Sequence, residues 1–272
     1  MIERRLRLIG IGPGGPDDLT VTAVNALNSV DVFLVADKAR GVDDLVSVRE
    51  EICRRHIVGD YRVLTVPDPP RDRTPERYGA EVRDWHAARA AVYEKVLCEE
   101  VSGDETAGLL VWGDPSLYDS TIRVAERIRD RGLLRIDYDV VPGVSSVQIL
   151  AARHKLVLNT IGGPITITTG RRLVEHADTG ADNLVVMLDG HLTCRGLDGD
   201  WNIWWGADLG TADEELVAGR LHAVLPEIEQ ARARAKAARG WVMDTYLLRR
   251  ARPGPFTAGS AADVVADRWG TC

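Results

Sequence analysis

Gly10, Gly12 and Gly15 are spaced as GxGxxG, and Asp37 stands 22 residues beyond the last of them. Behind a strand and ahead of a helix, that spacing binds a dinucleotide. The glycines admit the pyrophosphate at the helix N-terminus, and the acid takes a ribose hydroxyl. The neighbouring residues work against such a site. Pro16 disfavours helical backbone at Gly15, which the motif needs inside the helix. Asp17 and Asp18 put two negative charges where the phosphate should meet the positive end of the helix dipole. A tight turn that needs glycine backbone freedom is the plainer alternative. An NAD(P)-dependent oxidoreductase is kept as a competing function on this motif alone.

Two further loops have the same character. WGDPSLYDS (112–120) and VVPGVSS (140–146) each leave an apolar, β-rich run. In parallel α/β sheets, ligands collect at the carboxyl ends of strands. Gly113 permits close backbone approach, and Pro115 stiffens the turn. Taken singly, Gly-Asp-Pro is ordinary turn chemistry; the order and spacing of the three loops carry the information. No HxH or HExxH pair and no CxxC pair occurs, and Cys53, Cys98, Cys194 and Cys272 are scattered, so neither a metal site nor a disulfide framework is expected.

The elements that must position these loops alternate strand and helix. Residues 6–11 read as a strand, with Asp17, Asp18 and Thr20 supplying helix-start chemistry. Val21, Val24, Leu27 and Val30 then recur at helical spacing, and 32–35 is a continuous apolar strand. Further helices are expected over 45–57, 80–101 and 121–131, with strands over 61–66, 108–112 and 136–141. The Pro- and charge-rich stretch 67–79 must be a loop or lid. In the second half, strands are expected over 165–169, 183–187 and 201–205, and helices over 212–221 and 225–239. The domain boundary falls just after Ser145, giving domains 1–145 and 146–272, with a loosely held tail from about residue 252. The basic run 231–240 reads as a solvated helix face.

Composition narrows the class. The 272 residues carry 41 acidic and 34 basic side chains, a net charge of −7, which disfavours a nucleic-acid partner. No run approaches the ~20 apolar residues that cross a bilayer, so no membrane is expected. MIERRLRLIGIG passes straight from charge into a strand, unlike a signal peptide, and a cytoplasmic location follows.

IGIGPGGPDDLTVTAVNALNSVDVFLV (9–35), VWGDPSLYDST (111–121) and VVPGVSSVQILAA (140–152) together resemble the S-adenosylmethionine-dependent tetrapyrrole methylases. MLDG (187–190) and the segment before AGRL (218–221) fall where that family's second domain completes its cofactor cleft. The resemblance implies two α/β domains of the class III methyltransferase fold, each a sheet flanked by helices, with the cofactor between them, and usually a homodimer. By motif position the cofactor contacts would be Pro13, Trp112, Gly113, Asp114, Leu117, Ser145, Ser146 and Met187, with Ala207 and Leu221 added. Many members have glycine where this chain has Trp112, so that side chain is expected to point away from the cofactor. S-adenosylhomocysteine would be the product.

VREEICRRHI (48–57), DWHAA (84–88) and IWWGADLGTADEELVAGRL (203–221) resemble a branch of the family that expels an acetyl group as it methylates. Such a reaction needs a base to deliver water to the acetyl carbonyl. His86 is a candidate because imidazole titrates near neutrality, although a lone His is more often a satisfied structural residue. Asp114, Tyr118 and Asp119 are the others, Asp114 with the alternative of orienting ribose or substrate, and His154 is read as a packing residue. The substrate would be a polycarboxylate tetrapyrrole, with Arg71, Arg73, Arg77 and Arg83 around the lid set to grip its acid arms. Trp201, Trp204 and Trp205 either stack on the macrocycle or belong to the core. A sibling methylase acting at another carbon and a silent cofactor-binding protein are the remaining alternatives.

Overall fold

In the first strand, β1 (Ile2–Gly10), alternation sends Leu6 and Leu8 to one face of a sheet and Ile9 to the other. A computed structural model describes residues 2–37, 43–70 and 78–251. Its chain divides into two units, Met1–Ser145 and Ser146–Cys272. The first unit continues through α1 (Val21–Leu27), β2 (Val32–Asp37), α2 (Asp43–His56), β3 (Arg62–Pro67), α3 (Tyr78–Glu99), β4 (Thr106–Val111), α4 (Thr121–Arg131) and β5 (Leu134–Val141). Its five strands are all parallel, in the order β3-β2-β4-β1-β5.

Helices cover both faces of that sheet, which is why β4 is apolar along nearly its whole length. On one face α3 and α4 bury Tyr93, Leu97, Val124 and Ile128 against Leu6, Leu8, Leu34 and Leu109. On the other, α1 and α2 bury Ala23, Leu27 and Ile52 against Ile9 and Phe33. β1 and β4 are neighbours, yet the helices that follow them cover opposite faces. Their loops therefore diverge at a topological switch point, the place where an open α/β sheet leaves a crevice.

The second unit holds α5 (Ser146–Arg153), β6 (Thr166–Thr169), α6 (Leu173–Asp178), β7 (Asn183–Met187), β8 (Trp201–Ala207), β9 (Glu215–Arg220), α7 (Leu221–Arg239) and β10 (Asp244–Arg250). Its sheet is mixed, ordered β6-β7-β10-β8-β9, with only β6 and β7 parallel. Trp201, Trp205 and Tyr246 are fully buried in its core with Leu221 and Ile228, and Trp204 is buried too. The three tryptophans are thus core residues. The α/β fold of two sheets flanked by helices is the one expected. No helix among the described residues is long and apolar enough to cross a membrane.

Two sequence expectations fail in this unit. The helix expected over 212–221 is a strand from Glu215 to Arg220: Val217 and Gly219 face inward in alternation, and every residue pairs with β8. Cross-strand pairing overrides a weak helical propensity. β10 was not anticipated at all, and it lies at the centre of the sheet. Residues 252–272, expected to be a loose tail, lie outside the described residues.

Candidate functional site

At the carboxyl end of the first sheet, three loops meet through their backbones. Gly113 N donates to Gly12 O at 2.8 Å and Gly12 N to Gly113 O at 3.3 Å, an isolated antiparallel bridge. Both glycines have positive φ, 76° and 68°, which a side chain would strain. The third loop closes on the same spot. A Cβ on Gly10 would lie 2.5 Å from Gly143 N, and one on Gly143 would collide with Gly113 O.

Close approach thus accounts for Gly10 and Gly12. α1 begins only at Val21, six residues beyond Gly15, and its cap is Thr20. The Thr20 hydroxyl accepts from Ala23 N at 3.0 Å and donates to Pro142 O at 3.3 Å, tying α1 to the third loop. Asp17 pairs with Arg55 at 2.7 Å. With the third glycine well outside the helix, the dinucleotide geometry is absent.

Asp114 fastens the bundle. One carboxylate oxygen accepts from Gly143 N at 2.9 Å; the other accepts from Ser116 N at 2.8 Å and from the Ser116 hydroxyl. Partial burial alone would raise its carboxyl, but these hydrogen bonds outweigh burial and hold it below the ordinary value of 3.8. A carboxylate kept ionised, with its lone pairs engaged, is a tie between loops and a poor proton acceptor.

The other candidates of the first unit fall in and around this cluster. Pro13 is buried beside Gly12, and Ser145 is buried with its Cα 3.9 Å from where a Gly113 Cβ would stand. Gly113 is itself buried, and apart from its chain neighbours no described atom comes closer to that Cβ position. Leu117 is half-buried, its N–H donating to Asp114 O at 3.2 Å. Trp112 packs against the cluster of Ile9, Ile11, Phe33 and Val141. Tyr118 is exposed with φ 54°, its phenol shifted up by partial burial. Asp119, one residue ahead of Ser120, the N-cap of α4, accepts from Thr121 N at 2.6 Å.

His86 is 7% exposed on α3, its ring 5.3 Å from that of Trp85. One turn further on, Arg89 binds Asp68 at 3.1 Å, the Ser120 hydroxyl at 3.2 Å and the Tyr93 hydroxyl at 3.3 Å, and stacks over Trp85. α3 therefore reaches the end of the second loop. Arg83 is exposed on the same helix, whereas Arg71, Arg73 and Arg77 lie outside the described residues.

In the second unit the candidates converge on the start of β10. Met187 is opposite Thr245, Ala207 is opposite Asp244, and the hydroxyls of Ser146 and Thr245 are 2.9 Å apart. Ala207 is fully buried, backbone included. Leu221 is not part of this group. It follows Arg220, which pairs with Asn202, five residues along β8 from Ala207 and roughly 17 Å away at ~3.3 Å per residue. His154 lies on α5's C-terminal side, its Nε2 3.0 Å from Trp205 O, with burial lowering its pKa. Thr245 and Asp244 were missed because β10 was missed. The signal was present in the β-rich run Thr-Tyr-Leu-Leu (245–248).

The residues fit S-adenosylmethionine. Gly113, at positive φ, keeps the loop free of a side chain, and a Cβ there would meet only Ser145 Cα at van der Waals distance. The Asp114 carboxylate is held ionised, as would suit a cationic ligand. Leu221 apart, the expected contacts of the second unit (Ser146, Met187 and Ala207) are small or unbranched side chains grouped around the start of β10.

The chain belongs to the tetrapyrrole (corrin/porphyrin) methylases: residues 5–225 match that family. It is a homologue of precorrin-6A synthase (deacetylating) from a Sinorhizobium species. The two are 44% identical over 249 residues, 91% of this chain and 95% of that one. Among solved structures, a cobalamin synthesis related protein (CobF) from Corynebacterium diphtheriae aligns with TM-score 0.78 and 37% identity, over 91% of this chain and 99% of that one. The uroporphyrin-III C-methyltransferase of Thermus thermophilus, complexed with S-adenyl homocysteine, shares the fold at TM-score 0.54 and 19% identity, over 90% and 97% of the two chains.

Proposed function

We propose that this methylase converts precorrin-5 to precorrin-6A, methylating C1 with release of acetate. The observation that carries this reading is the 44% identity to a deacetylating precorrin-6A synthase along nearly the whole of both chains. S-adenosylmethionine would supply an electrophilic methyl group on a sulfonium. Pro13, Trp112, Gly113, Asp114, Leu117, Ser145, Ser146, Met187 and Ala207 would hold it largely through backbone groups.

Water adds to the acetyl carbonyl of the substrate, and cleavage of the C–C bond releases acetate. The bonding electrons stay on C1, which then accepts the methyl. This chain contributes orientation and exclusion of bulk water, and a base for the first step. His86 is that base in this reading; Tyr118 is a second candidate, and Asp114 serves as a loop tie. Arg83 and the lid arginines would meet the substrate carboxylates. The reading carries with it a homodimer in the cytoplasm, which sedimentation and cell fractionation test.

Mass spectrometry of the purified protein with precorrin-5 and methyl-labelled S-adenosylmethionine tests the reaction. One labelled methyl gained as acetate appears is the expected result. Methyl gain without acetate moves the enzyme to a sibling position, and no transfer overturns the reading. His86→Ala should slow acetate release by about 100-fold or more, the usual share of general base catalysis; unchanged release would remove His86 from that role.

A further inference from the structure

The turn after Met187 has an unusual backbone. Leu188 and Leu192 both have left-handed φ, 54° and 53°, and Leu188 is exposed. Such conformations are strained in bulky residues and persist only when the surroundings impose them. A buried carboxylate and a partly buried guanidinium do so here. The Asp189 carboxylate accepts from Thr193 N at 2.6 Å, the Thr193 hydroxyl at 2.8 Å, His191 N at 3.3 Å and the Tyr246 hydroxyl at 2.5 Å. Arg232, from α7, donates to Asp189 O at 3.1 Å and to Gly190 O at 3.0 Å. The same guanidinium binds the Asp244 carboxylate, which also accepts from Trp205 Nε1 at 2.9 Å.

We infer that Arg232 is a positioning residue for the candidate cofactor site. Anchored on Asp244, its planar fork holds the carbonyls of Asp189 and Gly190 and thereby fixes the turn 188–190 that leaves Met187. This rests on the proposed function only in taking Met187 as a cofactor contact. Arg232 was assigned from sequence to a solvated basic run, yet its side chain is 13% exposed and that of Asp244 only 3%. The fork geometry explains Arg at this position, since a lysine ammonium offers no planar pair of donors.

The anchor has a pH signature. Burial pushes the Asp244 carboxyl up to about 6, against the attraction of Arg232. Facing it are Arg232 from α7, Trp205 from β8, Asp189 from the turn, Tyr246 from β10 and Cys194 from the short 3-10 segment Thr193–Gly196. Burial raises Cys194 to about 12 and Tyr246 well above its ordinary value, so neither titrates between pH 5 and 8. Protonation of Asp244 removes the counter-ion from Arg232, and the turn loosens on the acid side.

Hydrogen exchange of the ligand-free full chain, paired with calorimetric titration of S-adenosylhomocysteine, tests this. Arg232→Gln should speed amide exchange over 188–190 at least tenfold and weaken binding at least tenfold, while Arg232→Lys restores part of both. Wild-type affinity should fall several-fold from pH 7.5 to 5.5, and that fall should be absent in Arg232→Gln. Unchanged exchange in Arg232→Gln, or unchanged affinity despite faster exchange, overturns the inference. If the wild type itself does not bind S-adenosylhomocysteine, the cofactor reading falls, and the exchange comparison still decides whether Arg232 holds the turn.

Discussion

In the first unit the loops after β1, β4 and β5 are held by backbone meeting backbone at Gly10, Gly12, Gly113 and Gly143. In the second, the turn after β7 is held by buried charge, through Asp189, Arg232 and Asp244. The first arrangement depends on the absence of side chains at those glycines, with the Asp114 carboxylate, held ionised below its ordinary value, tying the loops together. It is set by steric contact and is indifferent to mild changes of pH. The second depends on particular side chains and on one carboxylate that titrates within reach of neutrality. The loops of the two units are thus fixed by opposite means, and they should fail differently.

The largest expected effect is Gly143→Ala. The added methyl collides with Gly113 O, and overpacking of this kind costs about 1–3 kcal/mol or more. Thermal unfolding should shift down, and S-adenosylhomocysteine affinity should fall at least tenfold at every pH. A variant within twofold of wild type would mean that the loops do not meet as described.

Asp114→Asn should have a smaller effect. An amide oxygen can still accept from Ser116 or Gly143, so one or two charge-assisted bonds are weakened, for roughly 1–2 kcal/mol in binding. Acetate release relative to methyl transfer should be unaffected. A selective loss of acetate release beyond about 100-fold would return Asp114 to the role of base.

Asp244→Asn tests the charged half through stability. The folded carboxyl titrates at about 6, above its ordinary 3.8. Its contribution to stability is present in full below the unfolded value and lost as pH rises through about 6. Chemical denaturation between pH 4 and 7 should show that decline in wild type and a flatter profile in Asp244→Asn. The same slope in both would assign the titration elsewhere.

Glu105→Gln is the smallest perturbation and serves as the control. Hydrogen bonds from Arg62 and from Ser102 N lower Glu105 to about 2. Its contribution is present above the unfolded value near 4.5 and lost as pH falls toward 2. The pair is partly exposed and should be worth no more than ~1 kcal/mol. A change in cofactor affinity in this variant would show that surface charge, and not the buried groups, carries the pH dependence.

Much of the first unit was legible in the chain. Continuous apolar strands and helix-period residues such as Val24 and Leu27 marked its βαβ pattern, and the Pro-Asp-Asp run correctly weighed against a dinucleotide site. The second unit was less legible, because a short run such as Glu215–Arg220 reads as helix or strand alike until its cross-strand partner is known. Thr245 and Asp244 went unrecognised because the β-rich run 245–248 was passed over, and Leu221 was placed with the candidates when register sets it at the other end of β8. Arg232 read as one cation in a basic run.

By itself the sequence determined which loops matter, the parallel sheet beneath the first three, and the family whose motifs they carry. These are local properties of residue type and spacing, and spacing survives without coordinates. Tertiary structure alone decided that Gly10, Gly113 and Gly143 serve one close approach, that Asp114 is a tie, and that Arg232 faces inward onto a turn 43 residues earlier. Those facts depend on groups far apart in the chain meeting in a low-dielectric interior. There, one hydrogen bond or one missing methyl group decides the geometry.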